Sequence, residues 1–161
     1  MPILHTQILG QGQTPDGQIV QLPPSVALQQ RGPCLQASVS VAQIIATQLL
    51  QQGQAVPPPT TGLALIDTGA SVTCIDETAA QQLKLPVVDV VTIGSASHAS
   101  AQASVYPISI DIAGLPISID APRAVGAALA SQGLLLLIGR DVLQFCTLFY
   151  NGITGEITLS I

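Results

Sequence analysis

The sequence predicts a mainly β chain that closes into one barrel with short helices. Apolar runs of strand length recur along it, at 35–39, 62–66, 87–93, 104–112 and 134–138. Turn-forming residues separate those runs, and the stretches with helical spacing are brief. At 161 residues and 48% hydrophobic content, the chain has enough apolar surface for one core and no visible second domain.

The elements follow in order. Residues 2–40 read as β-rich and irregular, with a strand at 3–9 and a turn at Pro15-Asp16-Gly17. A short strand at 18–22 and another at 35–39 complete this part, punctuated by Pro23-Pro24 and Gly32-Pro33. Val41, Ile44, Ile45 and Leu49 fall on a helical period, which predicts a helix over 41–52 with Ser40 as its N-cap and Gly53 as its stop. Pro57-Pro58-Pro59 is a stiff connector into a strand at 62–66. Asp76 is placed to cap a helical turn that runs to Leu83, and Pro86 ends it. Glu77 and Lys84 sit at the ends that favour their charges. Strands are expected at 87–93, 104–112 and 115–119. The small polar stretch 94–100 between the first two has the composition of a mobile hairpin tip. A short helix is expected over 122–132, from Pro122 to a stop at Gly133. One helical turn at 140–144 and a hairpin of 146–150 with 156–161 close the chain. The predicted organisation is a β-rich N-terminal extension, 1–34, packed on the same domain as the main unit, 35–161.

Charge is scarce. Only 8% of residues are charged, against about 25% in an average protein. A surface so poor in charge is easily desolvated, which suits self-association. The net charge is −5, and the basic residues Arg31, Lys84, Arg123 and Arg140 form no cluster. With two Tyr and two Phe there is no stacking platform, so a nucleic-acid partner is excluded. Cys34, Cys74 and Cys146 are odd in number and lack metal spacing, and they read as buried reduced thiols. No metal and no cofactor is expected. The first residues lack the basic and apolar regions of a secretion signal, and no apolar run is long enough to span a bilayer. The expected setting is soluble, reducing and cytoplasmic, with no membrane partner.

The chemistry concentrates in two segments. In Leu65-Ile66-Asp67-Thr68-Gly69-Ala70-Ser71 an apolar strand runs into a carboxylate, a hydroxyl and a glycine. In the second, the apolar run 134–138 ends in Gly139-Arg140-Asp141-Val142-Leu143. A lone Asp-Thr-Gly is an ordinary turn signature. Both segments in this order resemble the retropepsin-like aspartic proteases, from about residue 63 to the C-terminus. The resemblance implies a closed acid-protease barrel and a homodimer with one aspartate from each subunit. It implies an aspartic endopeptidase that hydrolyses peptide bonds, with a peptide or protein as substrate.

Paired carboxylates make sense of that chemistry. At about 4 Å and intermediate dielectric two carboxylates repel by roughly 4 kcal/mol, so one keeps its proton while the other activates water. Aspartic proteases are the standard example of the arrangement. This chain carries one Asp-Thr-Gly, so the dyad is expected between Asp67 and its symmetry mate. By the resemblance, Thr68 bonds across the dyad to the partner's backbone. Gly69 offers its carbonyl to substrate, and Ala70 occupies the tight turn beside Ser71. Residues Gly94, Ser95, Ala96, Ser97 and His98 take the place of the flap that closes over peptide. Compact viral members usually carry an acid at the place of Ser71, paired with the arginine equivalent to Arg140. Here Asp141 or another acid is expected to take that role. Other readings are weaker. The phosphate loops of actin-like and sugar kinases share Ile-Asp-Thr-Gly-Ala-Ser but belong to much longer chains. A Ser71–His98 hydrolase pair lacks a nucleophile elbow, and His5 has no visible partner. A non-catalytic peptide-binding or assembly dimer keeps the same residues.

Overall fold

A computed structural model describes residues 1–95 and 98–161, with side chains described outside 94–100. The chain opens with β1 (Ile3–Gln7), β2 (Gln11–Gln13), β3 (Ile19–Gln21) and helix α1 (Pro24–Arg31). Then come β4 (Cys34–Val41), α2 (Gln43–Gln51), β5 (Thr60–Ile66), β6 (Cys74–Asp76) and α3 (Glu77–Gln82). The hairpin β7 (Asp89–Ser95) and β8 (His98–Ile112) leads to β9 (Ser118–Ala127) and a 3-10 turn at Ala130–Gln132. β10 (Leu136–Ile138), α4 (Arg140–Leu143), β11 (Thr147–Asn151) and β12 (Glu156–Ser160) complete it.

The fold is mainly β and its central sheet is closed. β4, β5, β10, β6, β9 and β8 pair in that order, and β8 returns to pair with β4. Strand β8 is long enough to serve as the seam. It holds β7 from His98 to Val105, β9 from Val105 to Asp111 and β4 from Ile108 to Ile112. Its Ile108, Ile110 and Ile112 are buried with Val39, Leu136 and Ile138 in one core. Closing the ring removes the edges that an open sheet would expose.

The terminal segments form a second sheet, in the order β1-β12-β11. β12 lies in its middle, with Ile157 and Leu159 fully buried. Helix α1 departs from the irregular, β-rich pattern expected over 2–40. It buries Ala27 and Leu28 in the main core, and Gly155 of the last turn lies against the Pro24 backbone where a Cβ has no room. Its start at Pro24 and its stop at Gly32, with φ of 70°, are readable signals. Its apolar spacing is weak, so the packing decides it.

The helix expected over 122–132 is absent. Residues 122–127 continue β9, and of the rest only Ala130–Gln132 turns, as a 3-10 helix. Ala121, Ala124, Val125 and Gly126 are buried between β8 and β6, where small residues let the strands and their neighbours approach. Tertiary pairing outweighs local helix preference here. Pro122 is tolerated because β9 carries one extra residue: the register steps from Tyr106↔Ala124 to Ile108↔Ala121. The strand expected at 115–119 accordingly begins later, at Ser118. Val41 belongs to β4 and not to the helix after it. Ala42 stands at the N-cap of α2 with no side-chain bond, so Ser40 is not the cap. His5 has a partner after all, as its Nδ1 shares a hydrogen bond with Thr158 Oγ1 at 2.8 Å.

Asp76 does what its sequence position predicts and more. One carboxylate oxygen accepts from Thr78 N and Ala79 N, capping α3 at 3.1 and 3.2 Å. The other accepts from Leu129 N and Ala130 N at 3.1 and 2.8 Å, tying the turn after β9 to α3. The side chain is buried, so its removal leaves several buried donors without a partner. Asp76→Ala is expected to lower stability by about 2–4 kcal/mol in urea denaturation, more than a cap alone supplies.

Candidate active site

Both motif segments arrive on parallel neighbours. β5 and β10 pair through Ala64↔Leu136, Leu65↔Leu137 and Ile66↔Ile138. Each strand is an apolar run because each is buried in the barrel wall. Asp67 N extends the ladder by donating to Ile138 O at 3.0 Å. The two turns thus leave the sheet side by side.

Asp67 is half-buried at the head of its turn. Its Oδ1 accepts from Gly69 N at 2.7 Å and from Ala70 N at 3.3 Å. The Asp67 carbonyl also accepts from Ala70 N at 3.3 Å, closing a tight turn. Thr68, Gly69 and Ser71 are exposed, and Ala70 is half-buried. The side chain of Asp67 is therefore held by its own turn, with Oδ2 unbonded among the described residues.

Gly139 joins the second turn to the first. A Cβ there would stand 2.5–2.8 Å from the backbone of Val72 and Thr73, so no other residue fits without moving the chain. Gly139 N donates to the buried Thr73 hydroxyl at 3.1 Å. That hydroxyl donates to Asp141 Oδ1 at 2.8 Å, and Thr73 N donates to Asp141 Oδ2 at 3.0 Å. Asp141 Oδ1 also takes Val142 N at 3.0 Å.

Among the described residues Arg140 has no acid partner, and neither Asp141 nor another acid takes the role expected of it. Its Nη1 donates to Thr68 O at 2.8 Å and Gly69 O at 2.9 Å. Asp141 is occupied by Thr73 instead. A guanidinium on two backbone carbonyls holds the Asp67 turn without needing a carboxylate at Ser71. Arg140 N also donates to Ala70 O at 3.0 Å, a further link between the turns. Thr73 is a site residue that the sequence reading missed. Its type and spacing give no signal; the signal is its burial beside Gly139.

A cleft of about 820 Å³ opens beside this turn. Gly69, Ala70 and Ser71 line one side, and Val91, Thr92 and Ile93 of β7 line the other. Cys74 lies on the wall, half-buried. Burial pushes its thiol up, and the nearby Asp141 and Asp67 carboxylates add to that. It stays protonated at neutral pH and is a poor nucleophile. The expected flap residues Gly94, Ser95 and His98 lie on the β7–β8 hairpin, where Ser95 pairs with His98. Ala96 and Ser97 lie outside the described residues, as do the side chains of Gly94, Ser95 and His98. The described residues contain no group of side chains arranged to hold a metal.

The family model for aspartyl proteases matches residues 59–141, just over half of the chain, and spans both turns. The chain belongs to the aspartyl protease family. No curated protein matches it in sequence. Among solved structures it is similar to the simian foamy virus (mac) protease in solution, with 16% identity and a TM-score of 0.44 over 70% of this chain and 92% of that one. It is also similar to the crystal structure of a retropepsin-like aspartic protease from Rickettsia conorii, with 15% identity and a TM-score of 0.43 over 98% of this chain and 92% of the other.

Gly139→Ala is expected to lower stability by about 1–3 kcal/mol, since overpacking against backbone has no soft neighbour to yield. Thermal unfolding measures this, and an unchanged midpoint counts against the contact. The thiols give a pH test. Burial raises Cys34, Cys74 and Cys146 alike. The unfolded chain then releases thiol protons before the folded one, so stability falls as the pH rises through and above the ordinary thiol range. Urea midpoints at pH 7 and pH 10 check the sign.

Proposed function

We propose that this protein is an aspartic endopeptidase that works as a homodimer, with a water held between Asp67 and its symmetry mate. The observation that carries the reading is the fixed pairing of the Asp67-Thr68-Gly69 and Gly139-Arg140 turns at the ends of parallel β5 and β10. One charged Asp67 acts as base on the water, and the other, still protonated, polarises the scissile carbonyl. Thr68 bonds across the two-fold axis to the partner turn. The Gly69 carbonyl has a second lone pair besides the one used by Arg140, and offers it to the peptide N–H. Ala70, Ser71 and the hairpin tip with Gly94, Ser95, Ala96, Ser97 and His98 enclose an extended peptide, which lies as an added strand between the cleft floor and β7. Residues 1–34 serve as an extension packed on the protease domain 35–161. The three free thiols suit a reducing compartment, and the cytoplasm is the proposed location. No described helix is long and apolar enough to cross a membrane.

The C-terminal strand is the natural expectation for the dimer contact, but β12 already has β1 on one edge and β11 on the other. That leaves the outer edges of β1 and β11, and the aromatic residues favour β11. It begins shortly after α4, and Phe145, Phe149, Tyr150 and Ile153 around it are exposed. No charge interrupts 145–153. The proposed interface is therefore the Asp67 turn and the β11 edge.

Asp67→Asn is expected to reduce peptide cleavage at least a thousandfold while the fold and dimer persist, because an amide cannot serve as base. Near-normal turnover by a clean preparation would remove Asp67 from the mechanism. The pH–rate profile is expected to be bell-shaped with an acidic optimum, its limbs belonging to the coupled pair. Its alkaline limb is expected to shift with protein concentration, because two charged aspartates repel across the axis. Phe149→Asp is expected to shift sedimentation to the monomer and abolish activity; an active Phe149→Asp dimer would displace the interface from β11.

A further inference from the structure

The cleft beside the Asp67 turn has an apolar floor, where Val72, Cys74, Val91, Val105 and Val125 pack with Ala103. Two charged side chains line it, Asp141 and Arg123. Asp141 has both oxygens committed to Thr73 and Val142. Arg123 is differently placed. Its side chain is 58% exposed, and its Nη2 donates to Asp89 Oδ2 at 2.7 Å. A guanidinium has five N–H donors, so one such bond leaves capacity for a second carboxylate.

Asp89 is not on the cleft wall. It stands at the start of β7, and its other oxygen takes Val90 N at 2.8 Å. Arg123 is thus anchored at the rim by a carboxylate that is itself anchored. The extra residue in β9 lies between Ala121 and Ala124, the segment that contains Arg123. A bulge re-aims side chains. Arg123 and Val125, two residues apart, both line the cleft.

Resting on the peptide-cleft reading above, we propose that Arg123 is a specificity residue that receives an acidic side chain of an extended peptide whose apolar side chain lies on the Val105–Val125 floor. In a strand-like ligand, side chains on one face recur every second residue, matching the spacing of Val125 and Arg123. The acid is selected against a chain of net charge −5, because the committed carboxylates leave Arg123 as the available charge on the cleft wall among the described residues. An exposed pair is screened by salt, so the selection is modest and ionic-strength dependent.

The test uses labelled peptides that are identical except for Glu or Gln, scanned through the three positions on either side of an apolar pair. Cleavage is read with the wild-type protein and binding with Asp67→Asn, by fluorescence anisotropy. Glu is expected to be favoured about threefold to tenfold at one position in both readouts, less so in high salt. Arg123→Gln is expected to erase that preference, and Arg123→Glu to turn it toward Lys. Asp89→Asn, which removes the competing charge, is expected to keep or increase it. Equal treatment of Glu and Gln at every position, a preference that survives in a folded Arg123→Gln, or no peptide binding at all overturns the assignment. A Glu preference in binding without any cleavage upholds Arg123 and overturns the peptidase reading instead.

Discussion

The structure turns on the contact between two turns that leave the sheet together. Gly139 lies against the backbone of Val72 and Thr73, at a separation that admits no side chain. Around that contact, Asp141 holds Thr73 and Arg140 holds the carbonyls of Thr68 and Gly69. Each bond is modest by itself. Together they fix the direction in which the Asp67 carboxylate leaves the barrel, in a protein whose proposed chemistry needs two such groups within a few ångströms. The parallel pairing of β5 and β10 is what brings the turns within reach, and the closed ring of strands is what keeps that pairing in register.

The terminal sheet has a different consequence. By pairing β1 with β12 and packing α1 beneath the last turn, the chain completes this sheet within one copy. The buried side chains of β12 are satisfied without a partner. The outer edges of β1 and β11 are left open, and exposed aromatic residues lie along and beside β11. Folding of one copy is thereby complete within itself, and the proposed pairing of copies is a separate step.

Charge is scarce, and several of the charges have a definite task. Asp76 gathers backbone donors, Asp141 fixes a turn, and Arg140 clamps one. Among the described residues no buried side-chain polar atom lacks a partner. The ion pair between Arg123 and Asp89 is the exception in kind: it is exposed and it stands at the cleft.

Much was determined by the sequence alone. Period-two apolar runs and turn residues specify a mainly β chain, because those patterns bury one face of a strand. Asp76 as a cap, the short helix at Arg140 and the last hairpin follow from local chemistry that acts within a few residues. The motif segments at Asp67 and Gly139 identify the candidate site for the same reason. Tertiary structure decided the rest. Residues 122–127, bracketed by helix start and stop signals at Pro122 and Gly133, pair as a strand, because β6 and β8 offer their backbones and small side chains fit between them. Arg140 binds carbonyls instead of an acid because Thr73, remote in sequence, has taken Asp141. β12 is enclosed by a strand from the far end of the chain, which leaves the outer edges to β1 and β11. Each of these outcomes depends on contacts between residues distant in sequence, whose energies no local pattern encodes.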